Sequence, residues 1–125
     1  MFIIYDDMTI NVTRGDAITI AVGADFNGEP YEFKPDDVVR LKVFTKKDCA
    51  DVVLKKDAEV TEATEEVEIF LKSEDLKIGD VISKPVDYWY EVVLNPDTKP
   101  QTIIGYDGDG AKVFRLYPEG GVLNE

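Results

Sequence analysis

The run Tyr88-Trp89-Tyr90-Glu91-Val92-Val93-Leu94 constrains the fold more than any other stretch. In an extended strand, Tyr88, Tyr90, Val92 and Leu94 fall on one side, and Trp89, Glu91 and Val93 on the other. One face can be buried fully and the other in part, as a central strand of a small β domain requires. Pro85 stands just before the run, and Asn95-Pro96-Asp97 stops it. Trp89 is the only tryptophan of the chain.

The rest of the sequence supplies partners for such a strand. Phe2 to Tyr5 is β-prone, and Met8 to Val12 alternates apolar and polar residues. Thr13-Arg14-Gly15-Asp16 reads as a turn. After it Ile18, Ile20 and Val22 share one face. Asn27-Gly28 is a hairpin signal, because a type I′ turn needs positive φ at both central residues. Pro35-Asp36-Asp37 is a second turn. Val38 to Phe44 then places Val39, Leu41 and Val43 inward, with Arg40 and Lys42 outward.

Lys46-Lys47-Asp48 is a solvated corner, and Val52 opens a strand reaching toward Val60. Thr61 to Glu66 reads as a turn, and Val67, Ile69 and Leu71 as one inward face. Ser73 to Leu76 is suited to a single 3₁₀ turn with Leu76 plugging the core. Gly79-Asp80 breaks it, and Val81 to Val86 is a linker. Gln101 to Ile104 returns beside the aromatic run. Asp107 to Gly110 is a turn, and Lys112 to Tyr117 is the last strand.

This gives about eight to ten short strands at the spacing of an all-β sandwich. Short turns between consecutive strands imply antiparallel pairing. At 125 residues the chain is expected to be one domain over 1–119, with a tail over 120–125. Folding at this size buries roughly two-thirds of the unfolded surface, enough for one core without staples. Cys49 is the only cysteine, so no intrachain disulfide can form.

The 26 acids against 14 bases give a net charge of −12, which repels phosphate backbones and anionic membranes. Neither a nucleic-acid nor a membrane partner is expected. No signal peptide and no apolar span of transmembrane length is visible in the sequence. Histidine is absent, which removes the usual general base near neutral pH and the commonest transition-metal ligand. It also rules out a Cys-His nucleophile within a protomer at Cys49. No catalytic residue, no cofactor and no metal site is expected, and the chain does not read as an enzyme.

Several short motifs have ordinary structural readings. Arg14-Gly15-Asp16 matches an adhesive tripeptide but reads as a turn, and Arg14→Lys is expected to leave the fold intact. Asp107-Gly108-Asp109-Gly110 fails the spacing of a calcium loop, which would put Ala111, Lys112 and Pro118 at its fifth, sixth and twelfth positions. The doublets Asp6-Asp7 and Asp36-Asp37 point to opposite faces of an extended chain and suit turns better than acid–base chemistry. Tyr88, Trp89, Tyr90 and Tyr106 are candidates for a sugar-stacking platform, with a core and sheet-face role as the alternative. Tyr88 and Tyr90 are assigned to the core. Trp89, with Glu91 and Val93 beside it, is the candidate partner contact.

Three pieces in order carry a resemblance. They are Thr13-Arg14-Gly15-Asp16 with the following Ile-Thr-Ile strand; Asn27-Gly28-Glu29-Pro30-Tyr31 followed by Asp36 to Val43; and Glu68 to Leu76, then Tyr88 to Leu94, then Gln101 to Ile104. Over residues 9–119 this arrangement resembles small immunoglobulin-like domains of phage and prophage tails, including the N-terminal domain of baseplate upper proteins. The chain departs from that pattern where Asp80 to Asp87 intervene between the glycine and the aromatic strand. The resemblance implies an immunoglobulin-like sandwich and a non-catalytic role among tail or baseplate subunits. Its partners would be those subunits or further copies of itself, and its location the virion, after synthesis in the bacterial cytoplasm. A carbohydrate- or peptide-binding sandwich of a bacterial surface protein is the alternative.

Overall fold

The computed structural model describes residues 2–4 (as backbone), 8–47, 51–107 and 110–119. In chain order the strands are β1 (Phe2–Ile4), β2 (Ile10–Thr13), β3 (Ile18–Val22), β4 (Asp25–Phe26), β5 (Glu29–Pro30) and β6 (Val38–Phe44). They continue as β7 (Val52–Glu59), β8 (Val67–Leu71), β9 (Val86–Leu94), β10 (Gln101–Ile104) and β11 (Lys112–Tyr117), with a 3₁₀ turn at Ser73–Leu76. Cys49, Asp6-Asp7, Gly108-Asp109 and the 120–125 segment lie outside the described residues. Among the described residues no helix is long and apolar enough to cross a membrane.

The architecture is an all-β sandwich. Its larger layer is a seven-stranded sheet in the order β1-β2-β11-β9-β6-β7, with β10 also paired to β9. β3 and β8 form a two-stranded layer that closes over one face of it. β9 is the hub. β6 runs along one edge of it, from Phe44↔Trp89 to Val39↔Leu94. The other edge is divided between β11, which pairs with Val86 to Tyr90, and β10, which pairs with Val92 to Leu94.

The alternation read in the sequence decides what faces the core. Val39, Leu41 and Val43 of β6, Tyr90, Val92 and Leu94 of β9, and Phe114 and Leu116 of β11 meet Ile18, Ile20 and Val22 of β3 and Val67, Ile69 and Leu71 of β8. Leu76 is fully buried and plugs one end. Tyr88 packs against the core only in part.

One pair of strands breaks the antiparallel expectation. β2 runs parallel to β11, in register from Ile10↔Phe114 to Thr13↔Tyr117. Short turns fix direction only between consecutive strands, and these two lie at opposite ends of the chain. Flanked by β1 and β11, β2 is not half-buried: Ile10, Asn11 and Val12 are all buried.

The turns follow their residue chemistry. Asn27 and Gly28 both have positive φ, at 57° and 82°, as the hairpin demands. Asp36 sits at φ 76° as the third residue of a turn closed by the Asp37 amide donating to the Lys34 carbonyl at 3.1 Å. The Thr61–Glu66 turn is tied down where Phe33 and Thr64 exchange backbone hydrogen bonds of 2.7 and 3.1 Å.

Candidate contact face

The outer face of the seven-stranded sheet, away from the core, carries the residues singled out for partner contact. Trp89, Glu91 and Val93 alternate with the buried Tyr90, Val92 and Leu94, and each is half-buried. Register gives each a row of neighbours. Trp89 lies between Phe44 of β6 and Val113 of β11, and Phe44 lies opposite Val52 of β7. Val52, Phe44, Trp89 and Val113 therefore make an apolar row across four strands. Phe44 is only 3 % exposed although it stands apart from the core cluster, and Val52 is 50 % exposed.

Glu91 is in register with Lys42, and Lys42 with Lys55. Val93 lies between Arg40 and Thr102. Sequence reading assigned Arg40 to the outside, and it does point there, but it is only 8 % exposed. Two carboxylates roof it: Asp57 accepts from Nε at 2.7 Å, and Asp97 accepts from the terminal nitrogens at 3.0 and 3.1 Å. The hydrogen bonds from Arg40 hold the Asp57 and Asp97 carboxyls below their ordinary range and raise the guanidinium in turn. On the far side of the apolar row, Arg115 donates to Asp87 at 2.7 Å. Asn11 lies in register with Arg115 and is fully buried, with neither side-chain polar atom hydrogen-bonded among the described residues.

Phe44, Val52 and Val113 were not read from the sequence as part of this patch. Parity would have found Phe44: it shares the even positions of Arg40 and Lys42, and so their face. Val52 was hidden by a bulge, since the register shifts between Val43 and Phe44.

The other motifs resolve into supports. Arg14 is 9 % exposed and cannot serve as an adhesive side chain. Its guanidinium donates to the Ile78 carbonyl at 3.3 Å, the Gly79 carbonyl at 2.7 Å and Glu119 at 2.6 Å. It thus pins the corner at Gly79 to the end of β11, and Arg14→Lys, expected to leave the fold intact, would break this fork. Asp37 is buried and accepts from the Lys34 amide, the Tyr31 hydroxyl and the Asn95 amide at 2.8 to 3.0 Å. Desolvation pushes its carboxyl up, but these donors outweigh it and hold it below the ordinary value. Asp107 and Gly110 exchange backbone hydrogen bonds across a turn, and Lys112 holds the Asp107 carboxylate at 2.8 Å.

The aromatics proposed as a sugar platform are not brought together. Tyr90 is buried and donates to the Met8 carbonyl, Tyr88 faces inward, Trp89 faces outward, and Tyr106 stands 76 % exposed in the loop after β10.

In comparisons with known proteins, no family model matches the chain, and neither a curated protein nor a solved structure matches it.

Proposed function

We propose that the chain is a non-catalytic structural module of a phage or prophage tail baseplate, an immunoglobulin-like sandwich that acts through protein–protein contacts. The reading rests on the ordered resemblance from Thr13 to Ile104. It is supported by one observation above the others: the outer face bears a half-buried tryptophan in an apolar row, outside the core and framed by ion pairs. Aromatic centres with charged rims are the usual composition of protein interfaces. Neighbouring tail subunits, or further copies, are the partners, and the virion is the location.

The test is virion composition. Particles induced from the encoding strain and purified by density are digested, and their peptides identified by mass spectrometry. Peptides of this chain should co-purify with the tail fraction at a fixed ratio to a major tail protein, and antibody-gold should label the tail tip. Intact particles that lack the chain would overturn the proposal.

A further inference from the structure

We infer that the cleft where one edge of β9 passes from β11 to β10 is a binding site for a single neutral sugar ring, stacked on Tyr106 and hydrogen-bonded by Lys112 and Asp107. The inference does not rest on the virion reading and assigns a ligand which that reading does not need.

Topology makes the cleft. β11 pairs with β9 as far as Lys112↔Tyr90, and β10 takes over at Ile104↔Val92, so neither strand pairs with Glu91 on this edge. The register also shifts between Thr102 and Ile104. A Cβ at Gly105 would stand 2.6 Å from Cγ2 of Thr102, so the glycine lets the chain double back closely just before Tyr106. Met8 lies on the other side, its carbonyl held by the Tyr90 hydroxyl. Between them is a cavity of about 320 Å³ lined by Met8, Ile103, Ile104, Tyr106, Asp107 and Lys112, among others. Ligand clefts start at about 300 Å³, so this one suits one ring rather than a chain of them.

The side chains in the cleft match a pyranose. Tyr106 is exposed and makes no hydrogen bond or ring contact among the described residues, so its ring is open to the C–H face of a sugar. The Lys112 side chain is only 9 % exposed, and its ammonium meets the two oxygens of Asp107 at 2.8 and 2.9 Å. Those contacts take at most two of its three N–H donors, which leaves at least one for the cavity it lines. The Asp107 side chain is 55 % exposed, and each of its oxygens accepts more than one hydrogen bond. Donor and acceptor thus stand side by side, as vicinal hydroxyls do. One hydroxyl accepts from the ammonium while its neighbour donates to the carboxylate. Charge selects a neutral ligand: the net charge of −12 repels anions, and the ammonium within the cleft repels cations. Closing the turn accounts for the ion pair, but not for the cavity or for a tyrosine exposed at its rim.

Two-dimensional NMR of the full chain follows its amides while methyl α-D-glucopyranoside, methyl β-D-galactopyranoside and N-acetylglucosamine are each added to about 50 mM. At least one should shift the amides of Ile103 to Asp107 and of Lys112 saturably, with a Kd of about 1–10 mM. Tyr106→Ala should weaken that binding about five-fold or more and leave the melting temperature unchanged. Lys112→Met keeps the stem, removes the donor and should abolish binding, with a circular dichroism melt to establish that it is folded. Sodium phosphate at the same concentration should leave these amides in place. No shift with any of the three sugars, undiminished affinity in Tyr106→Ala, or a saturable response to phosphate alone would overturn the inference. A sugar-binding chain absent from virions leaves this inference standing and removes the tail role. A virion protein that ignores all three sugars does the reverse.

Discussion

Asn11 is fully buried, yet neither its side-chain oxygen nor its nitrogen has a hydrogen-bond partner among the described residues. An unsatisfied buried amide costs about 1–3 kcal/mol. Asn11→Val removes both polar atoms and keeps a residue suited to a strand, so it should stabilise the fold by about 1–2 kcal/mol. A thermal melt should show a rise of about 4 °C for each kcal/mol, and a lower melting temperature would contradict the assignment. Arg14 is the converse case. Its planar fork reaches two backbone carbonyls and Glu119, and a lysine ammonium cannot satisfy that spread of acceptors. Arg14→Lys should cost about 1–3 kcal/mol in a denaturant titration. Neither residue was legible from the sequence. Alternation put Asn11 toward solvent because nothing local says that β2 has a strand on each side. The partners of Arg14 lie at least 64 residues away along the chain.

At the scale of elements, legibility follows how local the determinant is. β6 and the inward faces of β3, β8 and β9 were legible because period-two alternation is written within each strand. The parallel β2–β11 pairing and the division of one β9 edge between β10 and β11 were not, because they join segments whose sequences carry no mark of each other. The outer face of the seven-stranded sheet was half legible: Trp89, Glu91 and Val93 came from one strand, while Phe44, Val52 and Val113 needed the register. Turn chemistry was legible in position but not in its cost. Asp36 occupies the left-handed region that the turn reserves for glycine, and it is exposed. Asp36→Gly should therefore relieve backbone strain and stabilise the domain by up to about 1 kcal/mol, the entropy of the unfolded chain taking back part of the gain. The edge strand β7 presents a different device. Lys56 points inward beside Leu54 and Ala58 and meets Asp75 at 3.1 Å. An inward lysine on an edge resists continued strand addition.

For the whole molecule, two electrostatic effects oppose each other as pH falls. The net charge of −12 shrinks toward the isoelectric point near 4.3, which relaxes self-repulsion and favours the compact state. Against this, Asp37, Asp57, Asp75 and Asp97 all have folded-state pKa values below the unfolded value, which is about 3.9. Where the folded pKa is the lower one, the unfolded chain takes up protons first as the solution is acidified. The stability these groups supply is thus complete above about pH 5 and is lost as pH drops through their depressed values. With no histidine in the chain, few groups titrate between pH 7 and 5, and repulsion relaxes mainly below pH 5, over the range in which that loss sets in. Stability should accordingly stay nearly level from pH 7 to 5 and fall steeply below pH 4. Added salt should raise the melting temperature at pH 7, where repulsion is large, and change it little near pH 4.3, where the net charge vanishes. Asp37→Asn separates the two effects: it deletes one buried, depressed carboxylate and leaves nearly all of the surface charge. Its melting temperature at pH 7 should be lower, by about 1–2 kcal/mol of stability, and its acid limb shallower, while the salt response at pH 7 stays as in the parent chain. A parent chain whose melting temperature at pH 7 does not respond to salt would mean that self-repulsion is minor, and that its 26 acids are spread widely enough for solvent to screen them.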